Sequence, residues 1–405
     1  LGWTDSPGLS YGKLRASWSR VGNDAQTYLT DTYFDRTVAG GDNLLPGIEF
    51  PAFGVRALEQ QGTLGNPHLK PETLTALEFG ADLRFFRGRL LLDLTWYRAL
   101  SRDQIVDAQL SAATGFLRAP RNAGTIENTG WELSFGGVPL RRKDFRWEVG
   151  GQFTRFRSIV RKLPESQAGI VLASFTNVST MILEGQPYGV LVGTAFQRDA
   201  AGRRIIGADG FPLVSPEHRV LGDPTPDWLM GLRQAWTWKG FTLSALVDIR
   251  SGGDIWNGTR GVMSYLGISK ESGELRELRG YVFEGVTENG EPNTRPVDLA
   301  NPANGMSGIY WRRYGFIGLA EAHIEPGSWV RLRELKLSWV WQPRRWFRQA
   351  PNLRFSLAGY NLLLFTPYSG IDPETNLRGD SNILGWDYFN MPNTKSWNFS
   401  LEVNF

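Results

Sequence analysis

The apolar positions of this chain fall on every second residue over one stretch after another, with polar residues between them. Strand side chains alternate between the two faces of a sheet, so this pattern predicts strands with one greasy and one polar face. In the final segment, Trp397, Phe399, Leu401, Val403 and Phe405 share one face, while Asn398, Ser400, Glu402 and Asn404 share the other. The clearest hairpin is Thr73 to Phe86 followed by Gly88 to Leu100. Its first arm sets Leu77, Phe79, Ala81, Leu83 and Phe85 against Glu78, Gly80, Asp82 and Arg84, and its second aligns Leu90, Leu92, Leu94 and Trp96. A tight antiparallel turn at Arg87 and Gly88 joins them. The same alternation pairs Thr129–Gly137 with Phe145–Arg157, Trp228–Trp238 with Phe241–Arg250, and Trp329–Trp341 with Leu353–Asn361. With Leu9–Arg20 and the final strand, the chain holds ten strands by this reading, each near the ~9–11 residues that a tilted membrane strand needs.

Short turns alternate with long stretches rich in Gly, Pro and Asn: Val21–Glu72, Ser101–Asn128, Ser158–Asp227, Ser251–Ser328 and Leu362–Lys395. Loops of that length are uncommon in compact domains and are usually functional. Every short turn falls on the same side of the sheet as the carboxyl terminus, so one end is trimmed and the other elaborated. That is the layout of outer-membrane barrels, with short periplasmic turns and long extracellular loops. Basic residues gather in the short turns: Arg87, Arg141, Arg142, Lys143, Lys239, Arg344, Arg345 and Arg348. Two readings stand: turns are solvated and tolerate charge, or these cations meet anionic headgroups on the periplasmic side.

Composition narrows the classes. Only 41% of the 405 residues are hydrophobic, and no apolar run reaches the ~18 residues that a transmembrane helix requires. A membrane barrel escapes that test, because only alternate residues meet lipid. The 16 Trp, 12 Tyr and 23 Phe suit a bilayer interface, where a ring's apolar body and polar edge are both accommodated. Cysteine is absent and His numbers only 3, so neither a thiolate nucleophile nor a Cys/His metal site is expected, and no cofactor. A net charge of +3 is too small to argue for nucleic acid. The chain begins at Leu1, and any signal peptide is expected upstream of it.

Several segments in order carry a family resemblance: GNPHLKPETLTALEFGADLRFF (Gly65–Phe86), NAGTIENTGWELSF (Asn122–Phe135), GDPTPDW (Gly222–Trp228), SGGDIWNGT (Ser251–Thr259), SWVRLRELKLSW (Ser328–Trp339) and AGYNLLLFTPYSGIDPETN (Ala358–Asn376). With the closing YFNMPNTKSWNFSLEVNF, whose aromatic end is similar to the assembly signal of outer-membrane barrels, they resemble the carboxyl-terminal half of a SusC-type TonB-dependent outer-membrane transporter from about Leu9 to Phe405. The resemblance implies an all-β, antiparallel transmembrane β-barrel, with residues 1–405 forming the carboxyl-terminal part of a barrel of about 22 strands. It also implies a plug domain outside this chain that engages the TonB complex, and a SusD-type lipoprotein as partner. The other expected neighbours are outer-membrane lipid and the remaining half of the barrel, since ten strands alone would leave two unpaired edges in lipid.

The function implied is active import of a nutrient, oligosaccharide or peptide, with no covalent chemistry. Trp256, Trp311, Tyr314, Tyr368, Trp386 and Tyr388 are the candidate ligand-facing rings, because flat aromatics stack on sugars or apolar side chains. The bland alternative for each is loop packing. Two other classes compete. An outer-membrane barrel enzyme, protease or lipase, would need an activated nucleophile or water, yet His68, His218 and His323 lie in no recognisable catalytic motif. A structural or adhesive surface barrel would need neither plug nor TonB.

Overall fold

The computed structural model describes residues 8–36, 38–39, 48–163, 168–275, 277–299, 313–342, 351–379 and 381–404. Ten long strands build one wall: β1 (Leu9–Asn23), β2 (Glu72–Phe85), β3 (Leu90–Gln109), β4 (Arg118–Arg141), β5 (Phe145–Lys162), β6 (Trp228–Trp238), β7 (Phe241–Ser251), β8 (Trp329–Trp341), β9 (Asn352–Phe365) and β10 (Ser396–Asn404). Each pairs antiparallel with the next in chain order, so the wall is a continuous meander. The sheet does not close on itself: β1 and β10 are its two edges. That agrees with the expected all-β barrel segment.

The register carries the alternation from strand to strand. Phe145 stands opposite Trp238, Trp238 opposite Phe241, Phe241 opposite Trp339, Trp339 opposite Phe355, and Phe355 opposite Leu401. This row of rings crosses five strands near the short-turn end and is continued on a sixth by Leu401. Phe241 and Trp339 stack at 5.6 Å, and Trp339 and Phe355 at 5.8 Å. Leu14, Trp18, Leu337, Phe399 and Leu401 on the same outward face are also exposed. So continuous an apolar surface has lipid as its solvent. Gln234 is a polar residue on this face, and its side-chain oxygen accepts a hydrogen bond of 2.8 Å from Trp147 Nε1, as polar groups in hydrocarbon must find partners within the protein.

The inward face is charged and hydrogen-bonded. Arg15 on β1 reaches past β2 to Asp93 on β3, with Nη2 2.7 Å from Oδ1. Between these strands lies Gly80, where a Cβ would meet the Arg15 guanidinium at 2.8 Å. The gap in the side-chain layer is therefore what lets the ion pair span two strands.

One expectation is corrected. The sequence predicts a long loop over Ser101–Asn128, but β3 runs on to Gln109 and β4 begins at Arg118, with Arg102 opposite Thr125 and Gln109 opposite Arg118. Only residues 110–117 connect them. Above the membrane neither face meets lipid, so the apolar–polar contrast fades while the backbone ladder continues. The family motifs meet at this extension. Asn122 accepts from Lys70 N at 2.9 Å and donates to the carbonyls of Lys70 and Asp103 at 2.7 Å each. Gly124 has φ +49°, and a Cβ there would lie 1.6 Å from the Lys162 carbonyl, so only glycine fits. The NAG and NPHLKPE segments are thus a joint that braces the first loop against β3 and β4.

Candidate functional site: a cap built from the long loops

Three long connections, residues 163–227, 252–328 and 366–395, fold onto one another above the wall. The first contains a four-stranded antiparallel sheet of Ile170–Phe175, Val178–Ile182, Val190–Gly193 and Arg219–Gly222. In the second, Asp254–Asn257 pairs antiparallel with Ile324–Pro326 and parallel with Trp386–Asp387 from the third. The register sets Trp256 directly opposite Trp386. Their rings, 6.2 Å apart, pack with Ala173, Val178, Leu191 and Ala320 into a core of the cap's own. Phe175 closes on Tyr388 at 4.8 Å and on Trp256 at 5.8 Å.

A buried polar network runs beside these rings. Asn257 caps α1 (Gly258–Tyr265), its side chain accepting from Arg260 N and donating to Glu325 at 3.1 Å. Glu325 also accepts from Ser369 N and Oγ, at 2.7 and 2.8 Å. Arg260 joins Glu325 to Glu271 of α2 (Lys270–Leu275), at 3.2 and 2.8 Å. Burial works against the Arg260 charge, but the hydrogen bond to Glu271 and the pull of both carboxylates hold its pKa above the ordinary value. Tyr368 donates to Asp387 at 2.6 Å, while Thr259 donates to the same carboxylate at 3.0 Å. Burial first, and the Asp387 charge second, push the Tyr368 phenol far up, so it stays a donor.

The cap is tied to the wall through β8. Arg331 lies 2.6 Å from Asp372 and 2.8 Å from Glu374, with both Arg331 and Asp372 side chains only 4% exposed. Two residues on, Arg333 pairs with Asp248 of β7 at 2.6 Å and with Glu374. The register of β8 shifts between Leu332 and Glu334, which places these neighbouring arginines on the same cluster of acids. Removing one partner from such a buried pair strands the other charge at a cost of about 3–5 kcal/mol.

The sequence candidates separate under this geometry. Trp256 and Trp386 have no accessible surface, Tyr368 is 5% and Tyr314 2% exposed, and Tyr388 is partly buried. Trp256, Trp386 and Tyr388 come together in one cluster, Tyr368 sits beside it through Asp387, and Tyr314 packs on Phe196 in a neighbouring core. Trp311 lies outside the described residues. In this conformation neither Trp256 nor Trp386 offers a ring face to a ligand. What the cap does offer is a recess of about 830 Å³ between α1, α2 and Ser369–Ile371, lined by Thr259, Met263, Lys270, Glu274, Gly370 and Ile371. Sequence reasoning missed it: Thr259, Gly370 and Ile371 belong to two of the quoted motifs, but nothing local to either says that they meet Met263, Lys270 and Glu274 around one recess.

The family model for the TonB-dependent receptor-like β-barrel matches residues 1–363. The chain belongs to this family. TonB-dependent receptor P3 of Formosa agariphila is 26% identical over 433 residues, covering 99% of this chain and 40% of that relative. TonB-dependent receptor SusC of Bacteroides thetaiotaomicron is 29% identical over 200 residues, covering 44% of this chain and 19% of SusC. The structure of the RagAB peptide transporter matches 100% of this chain and 42% of its own with a TM-score of 0.70, at 20% identity. The receptor barrel described here therefore spans about 40% of the length of P3, and its place is the bacterial outer membrane. These relatives are named as receptors or transporters, not enzymes. Among the three His, His68 and His218 are exposed. The buried His323 ring bonds the Tyr314 carbonyl at 3.0 Å rather than a carboxylate, and burial keeps its pKa low. Among the described residues no group of three or more His, Cys, Asp or Glu is placed to hold a metal ion.

Proposed function

We propose that this chain is the carboxyl-terminal part of the barrel of a TonB-dependent importer that takes up an oligosaccharide or peptide, with a SusD-type lipoprotein over its long-loop end. The observation that carries the reading is the cap itself: separate long loops share one core and are anchored to the inward, polar side of the wall by Arg331 and Arg333. A surface barrel that only displays loops has no need to fuse and tether them. The RagAB peptide transporter supplies peptide as one cargo class to test, and the SusC-type resemblance of the motifs supplies oligosaccharide and a SusD-type partner. Energy coupling would come from a plug region outside this chain, and the cap would provide the vestibule through which cargo reaches it, with candidate contacts on Tyr388 and around the recess.

The test uses cells that carry the full-length receptor and its neighbouring lipoprotein. Uptake of labelled oligosaccharide and peptide pools is compared with and without TonB, together with recovery of the lipoprotein on the purified receptor. Uptake that stops without TonB, with the lipoprotein co-purifying, is the expected outcome. Uptake indifferent to TonB would overturn the reading.

A further inference from the structure

The short turns at the opposite end of the wall carry a feature that nutrient import does not use. The turn at residues 142–144 and the turn at residues 239–240 lie side by side, joined by a hydrogen bond of 3.2 Å from Lys239 N to the Asp144 carbonyl. Together with the end of β4 they present Arg141, Arg142, Lys143 and Lys239, all exposed and none in an ion pair among the described residues; Asp144 lies in the turn itself, and Glu148 is already paired with Arg146 at 2.6 Å. The Lys239 ammonium lies 5.2 Å from the centre of the Trp238 ring. Trp238 belongs to the outward aromatic row and is 55% exposed, so this cation stands on the lipid side of the wall, at the level of the rings. Lys239 holds φ +46° and Gly240 φ +87°, the left-handed pair that a two-residue hairpin turn requires, so the Lys239 side chain leaves the wall at a fixed angle. The patch lies under β4 to β7, in the middle of the sheet, where strands added at either edge would not cover it.

We propose that these two turns bind the phosphodiester headgroup of an anionic phospholipid in the periplasmic leaflet. The aromatic row fixes the depth of the wall at the interface, because rings settle at headgroup level. Lys239 is held over Trp238 by cation–π attraction and keeps its donors for a phosphate. Arg142 and Lys143 add charge of the same sign one turn away, where each cation near an anionic surface strengthens binding. Phosphatidylglycerol has the required chemistry: a phosphodiester with net negative charge and acyl chains that lie along Trp238, Phe241 and Trp339. A neutral zwitterionic headgroup lacks the net charge.

The experiment places the full-length receptor in nanodiscs of equal phosphatidylglycerol and phosphatidylcholine and counts retained lipids by native mass spectrometry. The expected result is a preference for phosphatidylglycerol of at least about fivefold, the scale set by one cation at an anionic surface. That preference should be lost in Arg142→Gln/Lys143→Gln/Lys239→Gln and kept in Arg142→Lys/Lys143→Arg/Lys239→Arg. Lys239→Gln alone lowers it in the same direction, which keeps the test readable if the triple variant assembles poorly. Arg87→Gln/Arg89→Gln, in a separate short turn, leaves it intact. No preference in the wild type, or one undiminished in the triple Gln variant, overturns the proposal. So does an equal loss in the Arg87/Arg89 variant, which would make the effect one of general charge. Retained lipid preference with loss of a periplasmic protein partner assigns the patch to that partner and overturns it as well.

Discussion

Trp339 in the wall is 37% exposed, whereas Trp256 in the cap is 0% exposed. The wall turns its rings outward and lets lipid complete its apolar layer, and the cap turns its rings inward because water surrounds it. The same residue type therefore marks the outside of one region and the centre of the other. In the wall, stability comes from a ladder along which each strand needs only its neighbours. In the cap it comes from a few contacts between residues far apart in sequence. Damage to the cap should accordingly be local and severe, and damage to the wall spread along the sheet.

The largest effect should follow from Trp386→Ala. It leaves a cavity between Trp256, Phe175 and Leu191, and large aromatic truncations in a core cost about 3–5 kcal/mol. Hydrogen exchange should show faster opening of Asp254–Asn257 and Ile324–Pro326, with protection in β6 to β9 unchanged. Equal loss of protection in the wall would show that cap and wall are one cooperative unit.

A smaller effect is expected from reversing the environment in the wall. Leu337→Arg puts a charge on the lipid face two residues inside the Trp339 row, costing about 1–2 kcal/mol, between the interfacial and mid-membrane values. The neighbouring Ser338→Arg, on the inward face, should stay within about 0.5 kcal/mol. Refolding yield into lipid vesicles under denaturant titration measures both. Similar losses for the two would erase the distinction between the faces.

The smallest effect concerns pH and touches the cap alone. Burial holds the His323 pKa below its ordinary value, so the folded cap keeps the ring neutral where an opened loop would take up a proton. Stability falls where the unfolded state binds more protons, so the cap should loosen as pH drops through about 6.5. Exchange rates in Ile324–Pro326 should rise more steeply on acidification in the wild type than in His323→Gln. Parallel pH profiles would remove His323 as the cause.

The wall was legible in the sequence because lipid writes a period of two into it. Trp228–Trp238 and Trp329–Trp341 emerge with the ends that the alternation predicted, and Phe241–Arg250 gains only Ser251. The signal fails where lipid stops. The run SRDQIVDAQ at the end of β3 remains strand, but its faces no longer differ in polarity. The cap was not legible, since nothing local to Trp256 announces Trp386 as its partner. Its aromatic content was visible; its direction, inward rather than toward a ligand, depends on which loops meet. Strict alternation from Leu337 and Trp339 would put Arg331 and Arg333 on the outward face, and only the shift in β8 brings them to Asp372 and Glu374.

The parallel pairing of Trp256 with Trp386 also has a mechanical side. Staves of a barrel held only edge to edge can be pried apart at any seam. Here the segment following β7 is laced to the segment preceding β10, with Arg331 of β8 knotted to Asp372 just beyond β9, so a hoop crosses those four staves at their upper rim. Along this arc the rim resists spreading. On the side of β1 and β2 the rim is held differently, by the Asn122 joint that fastens Lys70 of the first loop to β3 and β4 through single hydrogen bonds rather than buried ion pairs.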